Sequence, residues 1–269
     1  MTIGSMTGST FVGGLHVVQH QPPQRVFDPV VLILHGIGGS ARSSAHVASE
    51  LADRGVHAWC LDAAGYGESA DPGTEHDAVA DVLRVADAIS PDRPLVLLGT
   101  SWGGVVALAT ALARPERIAG LVLADSTRGS GATPEKAESM RARSRDLAER
   151  GSAVIAAERA PRLLAPGADP KMVETVRASM SALRHSGFAA AAEFMASTDH
   201  GPRLGEVTCP TLVLVGKHDV VTGVNESHLL AESIPGAQFR SIPDAGHVAI
   251  QEQPAAAAAL VTNFLEHLT

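Results

Sequence analysis

The chain reads as an α/β protein: a mostly parallel sheet flanked by helices, with an all-helical segment inserted after the sixth strand. Three observations carry this. Short runs rich in Val, Leu and Ile alternate with helix-like stretches over most of the chain, the alternation produced when crossover helices join parallel strands. The runs are apolar at nearly every position, as in strands buried on both faces. From about residue 129 to 203 the alternation stops and no strand-like run occurs.

Taken in order, residues 10–19 are expected to form a β-ribbon that turns at Gly13-Gly14, because paired glycines supply the positive φ of a tight hairpin. Strands are predicted at 30–34, 56–61, 95–98, 118–123, 212–215 and 238–242, and helices near 43–54, 76–89, 102–113, 225–234 and 253–267. The run Ala255–Ala259 belongs to the last of these, since alanine is a strong helix former and permits close packing. Within the insertion, helices are predicted at 134–150, 152–164, 170–184 and 187–197, with Gly151 as a stop and Pro161, Pro166 and Pro170 as punctuation. The implied organisation is a core of residues 1–128 and 204–269 with a helical cap, 129–203.

Composition narrows the classes. At 269 residues and 45% hydrophobic, the chain is long enough to bury a sizeable core. It has only six Phe, two Trp and one Tyr, so that core is expected to be Ala, Val and Leu packing, and the pocket walls small and aliphatic. A formal net charge of −8 argues against nucleic-acid binding and against docking on anionic membranes. No apolar run approaches the ~18 residues of a membrane span. No Lys or Arg precedes Arg25 and no apolar stretch follows the start, so no signal peptide is read. The two cysteines, Cys60 and Cys209, are expected to be buried free thiols in a reducing cytoplasm, one disulfide being the alternative. Charge divides with the architecture: residues 129–203 hold 11 Lys plus Arg against 9 Asp plus Glu, and the remainder 10 against 20. The Arg-rich helix at 136–150 reads as a solvated face; the sharper alternative is that one or two inward arginines hold an anionic substrate.

The strongest chemical signal is Gly99-Thr100-Ser101-Trp102-Gly103, a G-x-S-x-G placed between a predicted buried strand and a predicted helix. That strand–turn–helix setting holds a serine in strained backbone geometry with its hydroxyl clear of the sheet. A serine hydroxyl is a weak nucleophile near neutral pH, so it needs a base and the base an orienting acid. In this architecture the expected chain order is Ser, acid, His. Asp219 follows the strand at 212–215 and His247 follows the strand at 238–242, which puts both beyond the carboxyl ends of strands, where open α/β sheets place their sites. Asp125, also at a strand end, is the alternative acid; its structural role would be to bind turn amides.

A tetrahedral intermediate needs two backbone N–H donors, one from the residue after the nucleophile and one from the loop after an early strand. These are expected to be Trp102 and Ile37, the latter in His35-Gly36-Ile37-Gly38-Gly39, where Gly36 lets the backbone come close to substrate. His35 and the Gly-rich loop Asp62–Ser69 are read as structural. No G-x-x-x-x-G-K-[ST] and no strand-linked G-x-G-x-x-G occurs, and the remaining histidines show no metal-ligand spacing. No cofactor and no metal are expected.

Together, His35-Gly36, the Asp62–Ser69 loop, the Ser101 elbow, Asp219 and Gly246-His247 resemble the α/β-hydrolase fold family over nearly the whole chain. Within it, the compact helical cap, the segment Ala160–Leu164 and the join Cys209–Leu214 are most similar to 3-oxoadipate enol-lactonases and related small-ester or lactone hydrolases. The resemblance implies a cap inserted after the sixth strand. Haloalkane dehalogenases and epoxide hydrolases of this fold carry Asp at the nucleophile position, so Ser101 argues against those chemistries. Ser101-Trp102-Gly103 is also similar to proline iminopeptidases, which differ in the loop occupied here by His35–Gly39.

The expected function is cofactor-free hydrolysis of a small carboxylic ester or lactone through an acyl-enzyme on Ser101. The alternatives are a C–C bond hydrolase, a cofactor-free lyase and a non-catalytic ligand-binding receptor. For an anionic substrate, Arg162 is the candidate partner. The chain is expected to act as a monomer or small homo-oligomer on a small molecule.

Overall fold

A computed structural model describes residues 6–268; the outermost positions of the expected core, 1–5 and 269, lie outside the described residues. The chain opens with the antiparallel ribbon β1 (Met6–Val12) and β2 (Leu15–Gln21), longer than the predicted 10–19. Then come β3 (Val31–Leu34), α1 (Ala45–Asp53), β4 (Ala58–Leu61), α2 (Ala78–Ile89), β5 (Leu95–Thr100), α3 (Trp102–Ala113) and β6 (Ile118–Ala124). Four helices follow: α4 (Pro134–Arg150), α5 (Ser152–Arg159), α6 (Pro170–Ser181) and α7 (His185–Ser197). The sheet resumes with β7 (Thr211–Gly216), α8 (Val224–Ser233) and β8 (Gln238–Ile242), and the chain closes with α9 (Ala249–Glu252) and α10 (Pro254–Glu266).

Among the described residues, eight strands form one sheet in the order β1-β2-β4-β3-β5-β6-β7-β8. β2 runs antiparallel to β1 and β4, and every pairing from β4 to β8 is parallel. The apolar strands are buried on both faces because alternate residues feed two cores. Leu32, Leu34, Leu95, Leu97, Leu121, Leu123 and Val213 pack toward α2, α3 and α8. Val31, Ile33, Val96, Leu98, Val122 and Leu212 pack toward α1 and α10, where Ala257, Ala258, Val261 and Phe264 complete the layer. Cys60 and Cys209 are free and buried.

Local chemistry sets the helix ends. Asp77 caps α2 by accepting from Val79 N (2.8 Å) and Ala80 N (3.2 Å), and Asp169 caps α6 by accepting from Lys171 N (2.9 Å). Pro134 and Pro170 occupy first helical positions, where a missing N–H costs nothing. The predicted helix 152–164 is shorter: α5 ends at Arg159, and Ala160–Leu163 tightens into a 3-10 turn because Pro161 cannot supply the N–H of a continuing α-helix.

Helices α4–α7 are fastened to the rest of the chain at two points that matter below. The Gly-rich loop after β4 crosses α7 backbone to backbone: a Cβ on Gly65 would collide with Gly187, and one on Gly187 with the Gly65 carbonyl. Beside this crossing, Arg184 Nη1 and Ser186 Oγ donate to Asp71 Oδ1 at 2.7 and 2.8 Å. On the other side, His247 N–H donates to the Leu163 carbonyl at 2.8 Å.

Candidate active site

Ser101 lies between the end of β5 and the start of α3 with φ 52° and ψ −116°, a region that L-residues rarely adopt. The surroundings over-determine it. Ser101 N–H donates to the Ala124 carbonyl at 2.9 Å, and Ser126 Oγ donates to the Ser101 carbonyl at 2.8 Å. The turn closes only because residues 99 and 103 lack side chains: a Cβ on Gly99 would collide with the Gly103 backbone, and one on Gly103 with the Leu34 carbonyl.

The hydroxyl faces His247. Ser101 Oγ lies 3.1 Å from His247 Nε2, and His247 Nδ1 lies 3.1 Å from Asp219 Oδ2. A carboxylate accepts only, so Nδ1 carries the proton and Nε2 offers its lone pair to the serine O–H. Asp219 is itself held: Oδ1 accepts from Val221 N (2.7 Å) and Oδ2 from Thr222 Oγ1 (2.6 Å). Burial pushes its carboxyl upward. The hydrogen bond and charge of His247, with the Thr222 and Val221 bonds, outweigh burial and hold it at about 2.

Asp125 is fully buried with φ 48°. Its oxygens accept from Gly216 N (2.7 Å) and Ala249 N (3.0 Å), which clasps the ends of β6 and β7 to the start of α9. Burial raises its carboxyl well above the ordinary range, and the charges of Asp219 and Glu252 add to this against the two amide bonds. Asp219, not Asp125, is the carboxyl on the His247 ring.

The loop after β3 lies over the serine. A Cβ on Gly36 would sit 3.4 Å from Ser101 Cβ. Among the described residues the Ile37 amide has no protein acceptor, and Trp102, opening α3, has no carbonyl one turn back. Both residues border the cavity above Ser101. The loop is braced from below by rings. Tyr66 and Trp102 stack at 5.6 Å, and His35 packs against both at 4.7 and 5.7 Å. Tyr66 Oη donates to the Ile37 carbonyl at 3.2 Å. His35 Nδ1 donates to the Gly36 carbonyl (2.8 Å) while Nε2 accepts from Ala63 N (3.2 Å), and burial keeps the ring neutral by lowering its pKa.

The cavity measures about 300 Å³, a small-molecule volume. Ser101, His247, Thr222 and the 36–39 loop line one side, and α4–α7 and the 3-10 turn supply Met140, Arg143, Ile155, Arg159, Leu163, Met180, Phe188 and Met195. The apolar part of its wall is mostly aliphatic, with Ile37, Ile155, Leu163, Val176, Val221 and Val248; Met140, Met180 and Met195 add flexible thioethers that fill irregular gaps, and Trp102 and Phe188 are the aromatic rings. Among the described residues no group of three or more His, Cys, Asp or Glu could hold a metal ion, and no helix is long and apolar enough to cross a membrane.

Comparison with known proteins agrees with this fold. The profile of the alpha/beta hydrolase fold family matches residues 29–254. The chain belongs to this family. It is 29% identical over 209 residues to 3-oxoadipate enol-lactonase 2 of Acinetobacter baylyi, covering 73% of this chain and 74% of that protein. It is 30% identical to a 2-hydroxy-6-oxononadienedioate/2-hydroxy-6-oxononatrienedioate hydrolase of Cupriavidus pinatubonensis, covering 87% and 86%. A malate-bound thermophilic esterase from Thermogutta terrifontis superposes with a TM-score of 0.85 at 30% identity, covering 98% of each chain.

Within this α/β-hydrolase chain, the sequence-predicted residues Ser101, His247 and Asp219 lie together, with Gly36, Ile37 and Trp102 around the serine. Arg162 does not join them. It is exposed and borders a separate depression with Pro161 and Pro166, because the 3-10 turn directs Leu163 toward the cavity and Arg162 away from it. The arginines at the cavity are Arg143 and Arg159. The solvated-face reading of 136–150 missed this, whereas its alternative of one or two inward arginines agrees with the placement of Arg143 at the cavity. Ala137, Met140 and Leu147 are buried at helical spacing, and Lys136, Met140 and Arg143 recur at i, i+4 and i+7, one face of a helix. Thr222 and Ser126 were also missed. Thr222, three residues after Asp219, had a local signal: short-range side-chain bonds of this spacing close turns.

Proposed function

We propose that this chain is a cofactor-free serine hydrolase that cleaves a small carboxylic ester or lactone, with α4–α7 as a cap over the site. The continuous line Ser101 Oγ–His247 Nε2 and His247 Nδ1–Asp219 Oδ2, both 3.1 Å, carries the reading. Ser101 Oγ attacks the carbonyl carbon and its proton passes to His247 Nε2. The amides of Ile37 and Trp102 hold the resulting oxyanion, and Asp219 stabilises the imidazolium. Collapse breaks the C–O bond, and the leaving alkoxide takes the proton from His247; in a lactone it stays tethered to the acyl group. Water then gives a proton to His247 and attacks the acyl-enzyme, releasing the acid and restoring Ser101.

The test is covalent capture. A fluorophosphonate is expected to label Ser101, and Ser101→Ala to lose both the label and about 10⁶ in kcat. Near-wild-type turnover in that variant overturns the mechanism. A second reading is favoured by the 2-hydroxy-6-oxononadienedioate hydrolase relative: the same three residues acting on a C–C bond of a vinylogous diketone. Parallel kinetics on esters, enol-lactones and such diketones separate the two.

A further inference from the structure

Two arginines at the cavity form no ion pair among the described residues. Arg143 has its Nε buried without a hydrogen bond. Its Nη1 meets only the Met140 sulfur at 3.6 Å, and its guanidinium lies over the Phe188 ring at 6.0 Å from the centroid. The Arg159 side chain makes no hydrogen bond or ion pair among the described residues and meets Asp146 only through its charge. Every other arginine on α4 is committed: Arg141 to Glu193, Arg145 to Glu138, Arg150 to Asp146 and Glu158. The two carboxylates bordering the cavity are committed as well, Glu226 to Arg128 (2.9 Å) and Asp146 to Arg150 (3.3 Å). Burial, with Arg159 nearby, lowers the Arg143 guanidinium to about 10, so it stays charged at neutral pH. Holding a cation in this state costs stability, and within the fold only the Phe188 ring and the weak Met140 acceptor offset it.

We propose that Arg143, with Arg159 beside it, forms a carboxylate subsite, and that the substrate is therefore an ester or lactone carrying a free carboxylate away from the scissile carbonyl. This rests on the Ser101 reading above. A guanidinium presents paired N–H donors that match the two oxygens of a carboxylate, and among those of Arg143 Nη2 is neither hydrogen-bonded nor sealed from the cavity, while Nε lies buried behind it. Ser101 and Arg143 border the same cavity of about 300 Å³, so one small molecule can engage both. Apolar side chains such as Met140, Ile155 and Phe188 also line the cavity, and an ionic contact is stronger beside them than in open water.

The experiment compares kcat/KM for mono-(4-nitrophenyl) glutarate and for neutral 4-nitrophenyl pentanoate. Wild type is expected to prefer the anionic ester, and Arg143→Met to lower that preference about 10- to 100-fold, with Arg143→Lys between. Because Arg143→Met removes an unpaired buried charge, its Tm is expected to hold or rise. No preference in wild type, or an equal loss on both esters with a lowered Tm, overturns the subsite and marks Arg143 as structural. Titration calorimetry isolates this from the nucleophile assignment. Monomethyl glutarate, but not dimethyl glutarate, is expected to bind Ser101→Ala and to fail with Ser101→Ala/Arg143→Met. Full turnover by Ser101→Ala sinks the hydrolase mechanism while the calorimetry still reads the subsite.

Discussion

The backbone amide of His247 donates to the carbonyl of Leu163 at 2.8 Å, so the loop that carries the imidazole is tied to the helical insertion as well as to the sheet. Glu252 reinforces the joint: Oε2 accepts from Gly246 N at 2.7 Å and Oε1 from Ala165 N at 2.9 Å.

Glu252→Ala leaves both amides without that acceptor and frees the segment beside His247. A displacement of about 1 Å at a catalytic group can cost about 100-fold. The variant is therefore expected to lose about 10- to 100-fold in kcat with a smaller change in KM. Steady-state kinetics checks this, and Glu252→Gln, which keeps one acceptor oxygen and sets an amide nitrogen against the other N–H, is expected to fall in the same direction; an unchanged kcat in Glu252→Ala would mean the joint does not position the ring.

Asp219→Asn and Asp125→Asn are expected to fail in different ways. The first leaves His247 in the wrong tautomer and should cost about 10⁴ in kcat, besides the roughly 2 kcal/mol that the ionised carboxylate contributes near neutral pH. The second sets an amide nitrogen against the N–H of Gly216 or Ala249, which should cost about 1–3 kcal/mol. Kinetics on the two proteins side by side, with denaturant melts to show that both are folded under the assay, decide which acid serves the histidine.

Acid stability follows from Asp219. Its carboxyl lies at about 2 in the fold, below the ~3.9 of an unfolded chain. The folded state then binds fewer protons, so its contribution of about 2 kcal/mol is complete above about pH 4 and disappears as pH falls toward 2. Asp125 is shifted upward and works in the opposite sense, weakening the fold as pH rises above about 4. Unfolding free energy measured across pH 2–5 is expected to be flatter in Asp219→Asn than in wild type.

Gly103→Ala drives a methyl group into the Leu34 carbonyl, backbone that cannot step aside without moving β3. A loss of about 3 kcal/mol is expected, together with lowered activity because the 36–39 loop follows β3. A melting curve like wild type would show that the turn has slack.

Tyr66→Phe removes the O–H that donates to the Ile37 carbonyl at 3.2 Å and keeps the ring stack on Trp102. Losing about 1 kcal/mol of orientation should lower kcat about 5-fold and leave the melting temperature within a degree or two. Equal effects on KM and kcat would argue that the bond shapes the cavity rather than the amide.

Much of this site was legible in the sequence because its constraints are local. Gly99 and Gly103 bracket Ser101 within five residues, and Asp219 and His247 sit just past apolar strands whose order in the sheet follows from the fold. The arginines were not legible in the same way. The spacing of Lys136, Met140 and Arg143 puts them on one face of α4, but whether that face meets solvent or the cavity depends on how the insertion sits on the sheet. Arg162 was misplaced for a finer reason: Pro161 changes the helical phase, and a residue in a 3-10 turn points elsewhere than one in an α-helix. Thr222 and Glu252 act through loop backbone, whose path is set by tertiary contacts.

The Gly65–Gly187 crossing links two distant segments in any attempt to redesign the protein. Neither position accepts a side chain unless the other backbone retreats, so α7 offers little room for reshaping at that end. Lys136, Met140 and Arg143, by contrast, border the cavity from a helix whose outer face is largely exposed. New substrate preferences are most accessible through α4, and a library confined to that helix can explore them while the elbow and the His247 joint stay untouched.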